Sequence, residues 1–138
     1  MWQCSNKYIK HGNEPFNIGA IKNNSSEFVF ITEGQIDAMS FEEIGYPALG
    51  LGGVNEVDKL VELIVDIGTP KYLVLALDND VPGKKETGRL IETIAETGFP
   101  FRFLTVSWIY GNYKDANEFL IKDREGFERQ VKKIIGMI

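Results

Sequence analysis

Tyr72-Leu-Val-Leu-Ala-Leu-Asp-Asn-Asp-Val-Pro-Gly-Lys-Lys85 decides how this sequence is read. Six successive apolar residues, Tyr72 to Leu77, run directly into Asp78 and Asp80. An apolar run this short and without alternation predicts a strand buried on both faces, as in a parallel sheet. Pro82 and Gly83 are expected to break the strand, and the composition from Lys84 onward is helical. Asp78 and Asp80 then stand at the carboxyl end of a central strand, where open α/β sheets hold their ligands. If the backbone stays extended through Asn79, the two-residue period puts both carboxylates on one side.

Two like charges at that separation repel each other unless a cation neutralises them. Oxygen donors on a short rigid segment suit magnesium or manganese, which take one or two carboxylates together with substrate phosphates. A polar Asp-Asn turn with both side chains solvated is the competing reading. The stretch alone leaves both open.

Composition narrows the function classes. A chain of 138 residues is one domain by size, with room for a single core. No apolar run is long enough to span a membrane, and Met1-Trp-Gln-Cys-Ser5 does not open a signal peptide. One cysteine, Cys4, rules out an internal disulfide and a cysteine-built zinc site, and one histidine, His11, argues against histidine-based zinc or triad chemistry. A cytoplasmic location is the expectation. The net charge of -5 argues against strong autonomous binding to nucleic acid, because neutralising phosphates supplies most of that affinity. It leaves room for a site that meets phosphates through metal ions or with help from other domains.

Outward from the aspartates, the chain alternates strand and helix. Residues 1–26 read as an irregular segment, the end of an upstream region of a longer protein, with Tyr8, Ile9, Phe16 and Ile18 as a candidate hairpin. Phe28–Thr32 is the first strand, followed by a helix over 36–44 with Ile36, Met39, Ser40 and Ile44 on one face. Pro47–Gly53 reads as a small-residue strand ending in a glycine turn, with Asn55 at its far end facing the site. A helix then runs to Ile67, with Val57, Leu60, Val61, Ile64 and Val65 at helical spacing. Beyond the aspartate strand come a helix from about 83 to 96, a strand over 101–106, and helices over 116–121 and 124–135. This order predicts βαβ units, a parallel four-stranded sheet and right-handed crossovers.

In such a sheet Glu33, Asp78, Asp80 and Asp115 fall on the same edge, and Asp37 lies one helical turn beyond Glu33. Such a grouping is a metal site or an electrostatic error. Lys84, Lys85 and Arg89 are either phosphate contacts or a solvated helix face. Trp2, Trp108, Tyr110 and Tyr113 are either base-stacking or packing residues. Gly50-Leu-Gly-Gly53 lacks the ending of a P-loop and reads as a close backbone approach.

Three segments carry a resemblance to a known family. Phe28-Val-Phe-Ile-Thr-Glu-Gly-Gln-Ile-Asp-Ala-Met-Ser40 resembles the first motif of Toprim domains, a strand delivering a glutamate followed by Gly and, in primases, by Asp. Leu75-Ala-Leu-Asp-Asn-Asp-Val-Pro-Gly-Lys-Lys85 resembles the second, Asp-x-Asp followed by Gly and a basic residue. Lys114-Asp-Ala-Asn-Glu-Phe-Leu120 resembles a third motif of primase-type Toprim domains, as found in bacterial primases and in phage and plasmid primase-helicases. The resemblance spans residues 28–121 within an expected catalytic domain over 27–138.

The resemblance implies a compact Rossmann-like α/β fold and metal-dependent phosphoryl transfer. By motif position it implies catalytic Glu33, Asp78 and Asp80. It implies a metal set of Glu33, Asp37, Asp78, Asp80 and Asp115 for Mg2+ or Mn2+. It implies nucleotide contacts at Gly34, Lys84, Lys114 and Asn117. Asn117 stands where primases often carry Asp, so that end of the site holds less negative charge. The expected activity is primer synthesis on single-stranded DNA from nucleoside triphosphates, in a replication protein of a phage or mobile element with a replicative helicase as partner. The isolated domain is expected to be weakly active or inactive. A stand-alone Toprim nuclease and a non-catalytic protein-binding module are the alternatives.

Overall fold

The computed structural model describes residues 15–22, 26–52, 54–68 and 71–138. Four strands, β1 (Phe28–Thr32), β2 (Ala48–Gly50), β3 (Tyr72–Leu75) and β4 (Arg102–Thr105), form one parallel sheet in the order β2-β1-β3-β4. Phe30 of β1 pairs with Ala48 and with Val74, so β1 and β3 are the central strands. The helices are α1 (Gln35–Glu43), α2 (Val54–Ile67), α3 (Val81–Thr97), α4 (Ala116–Lys122) and α5 (Arg124–Met137).

The unalternating apolar run at 72–77 has a direct cause. Leu73, Leu75 and Leu77 enter the core beneath α2 and α3, with Val57, Leu60, Ile64, Leu90 and Ile94. Val74 and Ala76 enter the opposite core under α1, α4 and α5, with Phe41, Phe119, Phe127, Val131 and Ile134. Both faces are covered, so no polar residue is tolerated on either. Phe30 stacks on Phe41 at 4.3 Å between ring centroids, a pairing worth about 1 kcal/mol beyond its burial.

Several boundaries differ from the sequence reading. Pro82 sits in the first turn of α3, which begins at Val81. There its missing N–H costs nothing and its fixed φ suits the helix, so it starts the helix rather than breaking a strand. The buried residues of α1 are Asp37, Ala38, Ser40 and Phe41, and Ile36, expected on the inner face, is 59% exposed. Val65 of α2 is likewise exposed. β2 has three residues, and at its end Gly50 packs on the chain turn after β1, where a Cβ would lie 2.8 Å from the Gly34 carbonyl oxygen.

Residues 16–22, read from sequence as part of an irregular leading segment, lie against the domain. Phe16 makes an isolated antiparallel bridge with Gly50, Ile18–Lys22 forms a short 3-10 turn, and Ala20 and Ile21 are buried in the core beneath α2. The candidate hairpin partners Tyr8 and Ile9 lie outside the described residues, as do Trp2, Cys4, His11, Gly53 and the side chain of Asn55.

Candidate metal centre

The site is assembled at the carboxyl edge of the sheet. Beyond the end of β3, the buried Ala76 and Leu77 carry the chain to Asp78. Thr32, fully buried, donates its hydroxyl to the carbonyls of Gly34 at 2.9 Å and Leu49 at 3.2 Å, which fixes the turn carrying Glu33. Asp80 caps α3, its Oδ1 accepting from the Gly83 N–H at 2.8 Å. Asp115 caps α4 in the same way, accepting from the Glu118 N–H at 2.9 Å. Sequence placed these aspartates by motif, and their local role is that of N-caps, which satisfy helix donors otherwise left open.

Two loops are then drawn together. The Asn79 N–H donates to the Lys114 carbonyl at 2.8 Å, and the Asn79 side chain donates to the Gly111 carbonyl at 3.1 Å. This brings Lys114 to 3.9 Å from Asp78 and sets Asp115 beside it. Asp37 reaches the group from α1, its Oδ1 accepting from the Asn117 N–H at 3.0 Å, and the Ser40 hydroxyl donates to Asn117 Oδ1 at 3.3 Å.

Five carboxylates thereby form two overlapping trios. Glu33, Asp78 and Asp80 offer one oxygen each, all within 4.8 Å of one another, and Asp37, Asp78 and Asp115 do the same. Asp78 belongs to both. Burial first, then the charges of Glu33, Asp37, Asp115 and Asp80, lift the Asp78 carboxyl from 3.8 to about 7. Burial likewise raises Asp37 to about 6, opposed by the Asn117 N–H and aided by Asp115 and Glu33. Glu86, which the sequence reading passed over, lies near enough for Glu33 to raise it, after burial and against the pull of Arg89.

The buried Glu33 Oε1 atom has no hydrogen-bond partner. A buried carboxylate oxygen without a donor is costly. The all-oxygen donor set, the crowding of negative charge and this orphaned oxygen fit a hard divalent cation.

Not every residue singled out by sequence joins the centre. Gly34 and Asn117 line an adjoining cavity with Asp37 and Asp115. Lys84 and Lys85 are exposed at the start of α3, outside both trios, and Arg89 bonds to Asp58 on α2 at 3.1 Å. Tyr110 is fully buried, donates its hydroxyl to the Ala76 carbonyl at 2.6 Å, and is held protonated by burial and by Asp37, Asp78 and Asp115. Tyr113 stacks on Phe119. Both tyrosines are packing residues; Trp108 remains exposed, with its indole N–H on the Thr105 carbonyl.

Comparison with known proteins agrees with this geometry. Residues 30–120 match the model of the Toprim-like family. A DNA primase of Clostridium acetobutylicum is 26% identical over 96% of this chain, and one of Mycoplasma genitalium is 31% identical over 98%. The chain spans 22% of the length of each. The primase fragment of the bacteriophage T7 primase-helicase superposes with a TM-score of 0.56, covering 80% of this chain and 46% of that one at 22% identity. A structure of the T7 lagging-strand DNA polymerase with primase domains bound to an RNA/DNA hybrid and dTTP gives 0.59 at 22% identity, covering 78% and 52%. No helix among the described residues is long and apolar enough to cross a membrane. With the match covering more than half of its length and all three motifs, the chain belongs to the Toprim-like family, in company with DNA primases.

Proposed function

We propose that this chain is the catalytic Toprim module of a primase-like replication protein, joining ribonucleotides on a single-stranded DNA template with Mg2+ or Mn2+. The observation that carries this reading is the pair of carboxylate trios sharing Asp78 at the carboxyl edge of the sheet. Glu33, Asp78 and Asp80 would hold one cation, and Asp37, Asp78 and Asp115 a second. Bound there, the ions would stabilise charge on phosphoryl oxygens and acidify an attacking hydroxyl.

The chain's own groups have distinct tasks. Glu33, through the carboxylate oxygen other than the buried Oε1, would accept the proton of the attacking hydroxyl as the new O–P bond forms and pyrophosphate departs. Lys114, beside Asp78, offers its ammonium to a triphosphate. Lys84, exposed at the start of α3, is placed to meet nucleic acid further out. With a net charge of -5, grip on the template must come from other domains of the protein, with a helicase as partner. The 138 residues alone are therefore weakly active.

The test is a Mn2+ titration followed by amide NMR, combined with a primer-synthesis assay in the full-length protein. Broadening centred on Glu33, Asp37, Asp78, Asp80 and Asp115, and lost in Asp78→Ala, is expected. Unlocalised broadening would overturn the metal centre. Phosphodiester cleavage without nucleotide incorporation would reassign the same centre to a nuclease.

A further inference from the structure

β2 is an edge strand of three residues, yet its end holds the turn that carries Glu33. Leu51, just beyond it, donates its N–H to the Thr32 carbonyl at 2.9 Å, and the Gly52 N–H donates to the carbonyl of Glu33 itself at 2.8 Å. Gly50 lies against the Gly34 carbonyl with no room for a Cβ. The Thr32 hydroxyl joins the same seam through the Gly34 and Leu49 carbonyls. No hydrogen bond steers the buried Glu33 Oε1, so the aim of this side chain depends on the backbone beneath it. A strand so short, with its outer edge open, would fray and release that backbone.

The edge is closed instead. Ala48 and Gly50 turn their backbone groups away from β1, and each of those groups is taken. The Phe16 N–H donates to the Gly50 carbonyl at 2.8 Å, and the Phe16 carbonyl accepts from the Gly50 N–H at 3.0 Å. The Asn17 amide donates to the Ala48 carbonyl at 2.8 Å and to Glu42 Oε2 at 2.9 Å, and the same oxygen accepts from the Ala48 N–H at 3.1 Å. Asn17 does this at φ 61°, a left-handed conformation that few residues other than glycine and asparagine tolerate. Neither Phe16 nor Asn17 lies in the three motifs or in either carboxylate trio.

We infer that Asn17, with the backbone of Phe16, is a positioning residue for Glu33: it pins the outer edge of β2, and β2 pins the turn that aims this carboxylate at the metal centre. The inference rests on the metal-centre reading above and extends it to a segment ahead of the motifs. Covering an edge needs backbone pairing only, which Phe16 supplies. Asn17 adds a side chain that ties Ala48 to Glu42 of α1, the helix whose first turn carries Asp37. The turn bearing Glu33 runs between these two elements, from β1 into α1. Asp37 has an anchor of its own in the Asn117 N–H, so the strap bears chiefly on the trio of Glu33.

The test compares the 138-residue protein with Asn17→Gly, which keeps the left-handed backbone and removes the amide. Hydrogen exchange without metal should show the Leu51 and Gly52 amides losing roughly tenfold protection. Those of Ala76 and Val106, bonded to β1 and β3, should keep theirs. Calorimetric titration with Mn2+ should show one ion bound several-fold more weakly and the other unchanged. Glu42→Gln keeps an acceptor for Asn17 and Ala48 and should stay close to wild type in both readouts. Ile94→Val, a core change on α3, should lower the melting temperature without moving the Mn2+ affinities. Equal loss of protection at all four amides, or local loss with unchanged Mn2+ binding, overturns the inference and leaves the strap a mere edge cover. If the wild type binds no Mn2+, the metal-centre reading falls, and exchange at Leu51 and Gly52 decides whether the strap holds the Glu33 turn. Should Asn17→Gly fail to fold, Glu42→Ala, which opens the same tie from α1, is read in the same way.

Discussion

Asp37 Oδ1 accepts the backbone N–H of Asn117 at 3.0 Å, fastening the start of α1 to the start of α4 across 80 residues of chain. One carboxylate thus ties two helices together and belongs to a carboxylate trio. The two roles are separable. Asp37→Ala leaves the Asn117 N–H without its acceptor and should cost about 1–2 kcal/mol. Asp37→Asn keeps an acceptor of the same shape and removes a crowded charge, so the metal-free protein should melt at or above the wild-type temperature. Both variants should bind Mn2+ more weakly. Thermal denaturation with and without Mn2+ distinguishes the two effects.

The metal-free protein should lose stability as pH rises toward neutrality. Asp78 moves from 3.8 to about 7 on folding and Asp37 to about 6. Between those limits the folded state holds more protons than the unfolded chain, so the unfolding free energy falls with increasing pH. Shifts of this size correspond to roughly 2–4 kcal/mol for the pair by neutral pH, after relaxation of the side chains. The contribution is fully present below the unfolded carboxyl range and gone above about pH 7. Melting curves at about pH 5 and pH 7 should show the drop, millimolar Mg2+ should reverse it, and Asp78→Asn should flatten it. A metal-free melting temperature independent of pH would falsify the crowding argument.

The sharing of Asp78 between the trios makes an asymmetric prediction. Asp78→Asn should abolish localised Mn2+ broadening throughout the centre, because both trios lose a member. Asp80→Asn should weaken the Glu33 trio alone, lowering the number of Mn2+ ions bound while broadening around Asp37 and Asp115 persists. The asparagine keeps an N-cap for α3, so helix stability is retained. On the proposed function, either change should lower nucleotide incorporation roughly a hundredfold or more. Equal loss of Mn2+ binding in the two variants would mean that Asp78 is not shared.

The sheet was legible because its two central strands obey one rule. Every position from 73 to 77 meets a core on one face or the other, so apolar character alone marks β3. The carboxylate edge followed from the βα order. The inner face of α1 was misread because Asp37, a polar residue, takes an inward position that periodicity assigns to apolar ones, leaving Ile36 outside. The packing of 16–22 was hidden for a different reason. It is attached by a backbone bridge from Phe16 to Gly50, two bonds from Asn17 and the burial of Ala20 and Ile21, and so short a segment with bonds at such separations leaves no periodic trace. Glu86 escaped notice because its proximity to Glu33 depends on how α3 leaves Asp80, a matter of capping geometry.

Gly83 offers the last prediction, and its sign opposes the usual rule. Within a helix, Gly→Ala ordinarily stabilises by about 0.5–1 kcal/mol, through the entropy of the unfolded chain. Gly83 is in the first turn of α3, buried, at ordinary helical φ, so the backbone itself would accept alanine. Yet a Cβ there would collide with the Asp78 carbonyl oxygen and stand 2.8 Å from the carbonyl carbon and 2.9 Å from the Asp78 Cβ. These atoms belong to the strand end that aims the shared carboxylate, and they cannot swing aside as a flexible side chain would. Gly83→Ala should therefore destabilise by about 1–3 kcal/mol and displace Asp78, weakening Mn2+ binding as well. Gly88→Ala, in the same helix with open space around its Cβ, is the control and should raise the melting temperature. If Gly83→Ala melted above wild type and still bound Mn2+ normally, the close contact between α3 and the Asp78 backbone would not be what positions the metal centre.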